Sequence, residues 1–125
     1  TQLSPPLLLN LADSYGQVGR YAEMGNTLQQ VIRLQPSAVA WERLGSAQFR
    51  QREYDNALAS FRKSLELDAN HYPALNGIGV CLLNQYLWSG GKDLAQKDEA
   101  LSALRRSLQI ERKQPKILEL VGRYS

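Results

Sequence analysis

The stretch from Ala38 to His71 constrains the fold of this chain more than any other, because it carries two helical patterns separated by a short polar turn. Residues at i, i+3, i+4 and i+7 lie on one face of a helix. The first pattern has that spacing at Trp41, Leu44, Gly45, Gln48 and Phe49. The second pattern has it at Ala57, Leu58, Phe61, Ser64 and Leu65. The stretch therefore predicts an antiparallel helix pair, with Asp55 as the expected N-cap of the second helix.

Gly45 is the unusual residue of the first pattern, because glycine inside a helix costs about 1 kcal/mol relative to alanine. A close approach of the facing helix would explain its place. We expect small Ala57 to face Gly45, with Trp41, Tyr54 and Phe61 filling the space around that contact. The pattern thus predicts a close helix–helix contact at Gly45 in this pair.

These residues resemble the tetratricopeptide repeat, a family whose unit has about 34 residues and a W-x2-L-G pattern followed by Tyr, Ala, Phe and Pro. The matching positions are Trp41, Leu44, Gly45, Tyr54, Ala57, Phe61 and Leu65. The stretch departs from the family at Gln48, where Tyr is usual, and at Ala69, where Pro is usual. The resemblance implies an all-α fold, a right-handed superhelical α-solenoid of antiparallel helix pairs.

The same pattern recurs on both sides and predicts three repeats plus a final helix in a single domain, residues 1–125. Repeat 1 covers about 5–37, repeat 2 covers 38–71 and repeat 3 covers 72–114. In repeat 1, Met24 stands in the small slot of Ala57, and we expect Gly25 beside it to absorb some of the bulk. Residues 115–125 form a capping helix or the start of a partial repeat.

Repeat 3 is longer than the family period by about 9 residues, which lie within 84–99. We expect Tyr86, Leu87 and Trp88 to extend its first helix, because Gly90-Gly91 is the next helix-breaking signal. The two aromatic residues either form a second interaction surface or fold back over the third helix pair. We favour folding back.

Composition excludes several kinds of site. The net charge of +3 is small, and Cys81, the single cysteine, excludes an internal disulfide or a cysteine-based zinc site. No apolar run approaches about 18 residues, so we predict no membrane-spanning helix, and nothing resembles a signal peptide. We expect no metal and no cofactor, and the compartment is undetermined, with cytoplasmic as the default.

We predict that the chain is not an enzyme. His71, the single histidine, falls in a predicted loop and is expected to be solvated, whereas Cys81 falls on the buried face of the following helix. A Cys–His nucleophilic pair is therefore disfavoured. Residues 89–93 lack the spacing of a phosphate-binding loop, G-x4-G-K-[ST].

The resemblance implies that the first helices line a concave groove that binds extended peptides or short helices of partner proteins. Its partner-binding residues would be Leu9, Asp13, Gln17, Glu42, Ser46, Phe49, Arg50, Asn76, Val80, Leu83 and Asn84. One subset of the family binds C-terminal carboxylates through a clamp of lysine, asparagine and arginine side chains. The positions of that clamp hold Leu9, Asp13, Arg43, Pro73 and Gly77 in this chain. That clamp is absent, and the mixed groove favours an amphipathic ligand. Phe49 and Leu83 are alternatively buried between neighbouring first helices.

The predicted function is a non-catalytic protein–protein interaction scaffold. The alternative is a structural or oligomerisation spacer of a larger protein or assembly, and self-association is left open. Nucleic-acid binding is a weaker alternative. It would use the basic C-terminal third, with Arg105, Arg106, Arg112, Lys113, Lys116 and Arg123. No stacking aromatics are interleaved with these charges, although single-strand binders usually need them.

Overall fold

The computed structural model describes residues 3–125, which form seven α-helices and no strand. The helices are α1 (Pro5–Gln17), α2 (Tyr21–Leu34), α3 (Ala38–Arg50), α4 (Tyr54–Leu67), α5 (Tyr72–Trp88), α6 (Leu94–Ile110) and α7 (Pro115–Tyr124). This confirms the predicted all-α fold. None of the helices is long and apolar enough to cross a membrane.

Consecutive helices pack against each other along the whole chain, which is the arrangement of an α-solenoid. The pairs α1–α2, α3–α4 and α5–α6 contact most extensively, and α7 packs against α6. The helices α3 and α5 also touch each other, so the first helices of successive pairs lie side by side. These first helices form one face of the solenoid.

The turn between the two helices has the same backbone motif in all three pairs. Two residues after each first helix ends, the backbone is left-handed, with φ of 78° at Gly19, 64° at Arg52 and 77° at Gly90. The next amide then donates to a carbonyl five residues back at 2.9 Å, as from Glu53 to Gln48. This is the Schellman termination of a helix, which glycine favours. The N-cap of α4 is Glu53, so the expected capping by Asp55 is wrong; Asp55 lies in the first turn of the helix.

Gly45 sits at a close helix contact, as predicted, but its neighbour is the ring of Phe61 rather than Ala57. A Cβ added at Gly45 would lie 2.7 Å from a ring carbon of Phe61, and one added at Gly77 would lie 2.5 Å away. Phe61 is 4% exposed and belongs to α4. One aromatic ring therefore packs between glycines of α3 and α5 and joins the second and third helix pairs.

Met24 is accommodated in the first pair by Gly16 and not by its neighbour Gly25. A Cβ at Gly16 would lie 2.9 Å from the sulfur of Met24, so the thioether occupies the space that a side chain on α1 would need. Gly25 instead faces Leu44 and Gln51 on the next pair. The large residue in the small slot is thus matched by a glycine on the partner helix.

The extra residues of the third unit lengthen both of its helices. Helix α5 has 17 residues where α3 has 13, and α6 has 17 where α4 has 14. The predicted extension through Trp88 is confirmed. The expectation that Trp88 folds back over the pair is wrong, because its side chain is 80% exposed.

Candidate functional site

A groove runs across the face formed by the first helices, and two adjoining cavities define it. A cavity of about 410 Å³ between α1 and α3 is lined by Asp13, Gly16, Gln17, Tyr21, Met24, Arg43, Ser46 and Arg50. A cavity of about 490 Å³ between α3 and α5 is lined by Ser46, Phe49, Arg50, Arg52, Tyr54, Phe61, Pro73, Asn76, Gly77 and Val80. Ser46 and Arg50 line both cavities, so the two form one continuous groove.

Most of the residues predicted to bind a partner line this groove. They are Asp13, Gln17, Ser46, Phe49, Arg50, Asn76 and Val80. Leu9 instead packs against the apolar core between the first two pairs, and Asn84 lies in a separate cavity near Trp88. Leu83 is 4% exposed and belongs to the core, so its predicted place on the groove surface is wrong. A role in binding stays a prediction for the residues that line the groove.

Glu42 holds the start of α5 instead of facing the groove freely. Its carboxylate lies 3.2 Å from the imidazole Nε2 of His71, and both side chains are largely buried. Ser46 also donates to Glu42 at 3.4 Å. The expectation of a solvated His71 is wrong, because the residue before α5 is drawn onto α3 by this contact.

The charges of the groove are only partly compensated. Arg43 forms an ion pair with Asp13 at 2.6 Å, which ties α3 to α1. Arg50 lies over the ring of Tyr21, with 5.6 Å between its guanidinium carbon and the ring centroid. Within residues 3–125, neither Arg50 nor Arg52 forms an ion pair. The part of the groove beside the C-terminal end of α3 is therefore basic.

An apolar wall stands beside these arginines. The rings of Phe49 and Tyr54 meet edge to face with their centroids 5.2 Å apart, an arrangement that the quadrupoles of aromatic rings favour. Phe61 of α4 and Val80 of α5 line the same cavity. The cavity can thus take an apolar side chain next to a cationic surface.

Several groove residues were missed by the sequence analysis, among them Tyr21, Arg52 and Tyr54. All three lie in the turns or at the starts of second helices, whereas the prediction counted only exposed faces of first helices. Alignment of the three turns could have found Arg52, because Gly19 and Gly90 hold the equivalent positions.

Cys81 is a core residue, as predicted. It is fully buried in the cluster shared by α4, α5 and α6. Burial raises the pKa of its thiol from 9.0 to about 11, because the thiolate would lose its hydration. In the part of the chain that the structure describes, no group of three or more His, Cys, Asp or Glu side chains is arranged to hold a metal ion.

Comparisons with solved structures show the same fold at low sequence identity. The first TPR domain of Spaghetti (RPAP3), solved bound to the HSP90 peptide SRMEEVD, superposes with a TM-score of 0.83 at 17% identity, over 96% of this chain and 89% of that chain. The Arabidopsis OM64 TPR domain gives a TM-score of 0.84 at 14% identity, over 96% and 93%. These likenesses establish the solenoid fold.

Sequence comparisons point the same way. The chain is 33% identical to Hsp70-Hsp90 organizing protein 2 of Arabidopsis thaliana over 79 residues, which are 62% of this chain and 14% of that protein. It is 31% identical to human tetratricopeptide repeat protein 13 over 104 residues, 79% of this chain and 12% of that protein. The chain thus spans only a small part of these relatives. The tetratricopeptide repeat family model matches residues 9–72 and again 44–89. The chain belongs to the tetratricopeptide repeat family.

Proposed function

We propose that the chain is a non-catalytic interaction scaffold whose groove binds an extended peptide or a short helix of a partner protein. One observation carries the proposal: an apolar cavity of about 490 Å³ adjoins two arginines that form no ion pair among the described residues. Ligand pockets combine apolar walls with a few oriented polar groups in this way. The ligand would place an apolar anchor between Phe49 and Val80.

Recognition in this groove would combine several modest energetic terms. Burying one large apolar side chain contributes about 1.5–3 kcal/mol, and an ion pair with a solvent-exposed arginine contributes about 0.2–1 kcal/mol. Micromolar affinity corresponds to about 8 kcal/mol, so several such contacts along the groove would be needed to exceed the cost of ordering the peptide. The groove residues Phe49 and Arg50 would supply one contact of each kind.

The RPAP3 domain with its HSP90 peptide supports a peptide ligand for this fold. The ligand of this chain would differ in how it is held. Pro73 and Gly77 stand at two of the positions of the family's carboxylate clamp, and Arg43 at a third is already paired with Asp13. We therefore expect an internal segment with an apolar anchor rather than a free C-terminal carboxylate.

Selection of a random twelve-residue peptide library against the full chain tests this proposal. Recovered peptides should carry a large apolar residue, and their binding is measured by calorimetry. The double variant Phe49→Ala plus Arg50→Glu should weaken binding at least tenfold, and Arg50→Glu alone, which leaves the apolar wall intact, about fivefold.

The matched control changes exposed residues of α4 outside the groove, Leu67→Ala plus Lys63→Glu. It should bind as the wild type does. Equal binding by the groove variant and the wild type would overturn the proposal and favour the spacer role instead. A library that yields no binding peptide would also overturn it.

A further inference from the structure

The longer α5 builds a third cavity at the side of the groove, which we call the lateral cavity. It measures about 370 Å³ and is lined by Arg52, Tyr54, Asp55, Asn84, Gln85 and Trp88. Arg52 and Tyr54 also line the groove cavity between α3 and α5, so the two spaces adjoin. Asn84, Gln85 and Trp88 lie in the last turns of α5. The lateral cavity is therefore a product of the lengthened helix.

Arg52 occupies a backbone position that the fold alone would give to glycine. The equivalent residues in the other two turns are Gly19 and Gly90, with φ near 78°, and Arg52 has φ of 64°. A residue with a Cβ is strained in that left-handed conformation. Such strain persists where the side chain has a use, and strained residues cluster at binding sites. The guanidinium of Arg52 is exposed and forms no ion pair within residues 3–125.

Trp88 faces the same space with an indole that packing leaves free. Its side chain is 80% exposed, although tryptophan usually buries most of its surface. Exposed aromatic side chains of this kind are enriched among the residues that dominate binding energy. Next to it, the side-chain Nδ2 of Asn84 has no hydrogen-bond acceptor among the described residues. The carboxylate of Asp55, which also lines the lateral cavity, accepts a hydrogen bond from the side chain of Gln85 at 3.4 Å.

We propose that the lateral cavity extends the groove and selects an acidic segment: a ligand carboxylate binds Arg52, and a neighbouring apolar residue of the ligand stacks on Trp88. The inference rests on the proposed function and names the ligand chemistry at one end of the same site. Charge complementarity supports it where the two cavities adjoin: Arg50 and Arg52 line the groove cavity between α3 and α5 with no carboxylate among the described residues beside them, and Asp55 in the lateral cavity accepts from Gln85. The ligand is thus an amphipathic peptide with an Asp or Glu next to an aromatic or aliphatic residue.

The substitution Arg52→Gly separates binding from folding, because it removes the charge and also the backbone strain. With a peptide selected from the random library, we expect affinity to fall about fivefold, the effect of a partly exposed ion pair. The melting temperature of the same variant should rise by about 2–4 °C. Arg52→Lys keeps both charge and strain, so its affinity should stay within about threefold of the wild type and its melting temperature should not rise.

Trp88→Ala tests the apolar half of the lateral cavity. We expect affinity for the selected peptides to fall about tenfold. Leu87→Ala is the matched control, since Leu87 is 52% exposed on the same turn but does not line the cavity. It should bind as the wild type does.

A twelve-nucleotide oligothymidine is the second probe, because Arg and Trp side chains also bind single-stranded nucleic acid in other proteins. We expect the chain not to bind it.

The outcomes distinguish this inference from the proposed function. If Phe49→Ala plus Arg50→Glu weakens binding but Arg52→Gly and Trp88→Ala do not, the groove binds the peptide and the lateral cavity takes no part in binding. If only Arg52→Gly and Trp88→Ala weaken binding, the peptide binds outside the groove, and both the groove proposal and its extension by the lateral cavity fail. Recovered peptides that lack Asp and Glu overturn the inference, as does oligothymidine binding that Trp88→Ala abolishes.

Discussion

At the scale of single residues, the contact of Phe61 with two glycines holds neighbouring helix pairs together. The ring contacts Gly45 of α3 and Gly77 of α5, and either Cβ would overlap it. Each glycine costs its helix about 1 kcal/mol of intrinsic propensity relative to alanine. The close packing of a buried aromatic ring offsets that cost.

Gly77→Ala should destabilise the chain, although alanine is the better helix former. The new Cβ would lie 2.5 Å from the buried ring of Phe61, and overpacking of this kind costs about 1–3 kcal/mol. Urea unfolding should show a net loss of up to about 2 kcal/mol after the gain in propensity.

Gly122→Ala in α7 is the control for Gly77→Ala, because no atom lies within 4 Å of a Cβ added there. That variant should gain up to about 1 kcal/mol from helix propensity alone. The account of the helix contact is wrong if both alanine variants change the free energy of unfolding in the same direction.

Cys81 gives the stability of the chain a dependence on alkaline pH. Its thiol has a pKa of about 11 in the folded chain and 9.0 when unperturbed. Because the unfolded thiol ionises first, the stability from this group is full below pH 9.0 and is lost as the pH rises to about 11. Between these values, the free energy of unfolding should fall more steeply in the wild type than in Cys81→Ala. If the free energy of unfolding changed with pH in the same way in the wild type and in Cys81→Ala, burial of the Cys81 thiol would be contradicted.

At the scale of elements, Gln114 fixes the position of α7. Its side-chain Nε2 donates to the Ser107 hydroxyl at 3.0 Å and to the Glu111 carbonyl at 2.8 Å. Its Oε1 accepts from the amide of Asn76 at 2.8 Å. Asn76 lines the groove, so one side chain joins α5, α6 and the start of α7.

Gln114→Ala should loosen α7 without unfolding the solenoid. It leaves Asn76 and buried Ser107 without these partners, and an unsatisfied buried polar group costs about 1–3 kcal/mol. Hydrogen exchange followed by mass spectrometry should show faster exchange in residues 115–125 and unchanged exchange in α3 and α4. Gln109→Ala, an exposed change on α6, is the control. Equal protection of α7 in both variants would contradict the role of Gln114.

The elements could be predicted from the sequence because spacing on a helix depends on local residues. The extension through Trp88 and its end before Gly90 are an example, since the adjacent residues Gly90 and Gly91 adopt the left-handed backbone that ends a helix. What a side chain contacts across elements could not be predicted in this way. His71 was expected in solvent because its loop is polar, but Glu42 lies 29 positions away in the sequence and 3.2 Å away in space.

At the scale of the whole molecule, the groove exists only because three first helices stand side by side. The face of α3 could be predicted, since Ser46, Phe49 and Arg50 remain once the packing positions are assigned. The side of α5 was less predictable, because the helix is apolar on nearly all sides and Leu83 turns inward. The pairing of Arg43 with Asp13 depends on how two repeats stack.

The most direct test of the central claim is an NMR titration of the isotope-labelled chain with a peptide selected from the random library. The account predicts that the largest amide shifts fall on α1, α3 and α5, at Asp13, Ser46, Arg50, Asn76 and Val80. Amides on the outer surfaces of α4 and α6 should barely move. Shifts concentrated on those outer helices or on α7 would contradict a groove that binds partners.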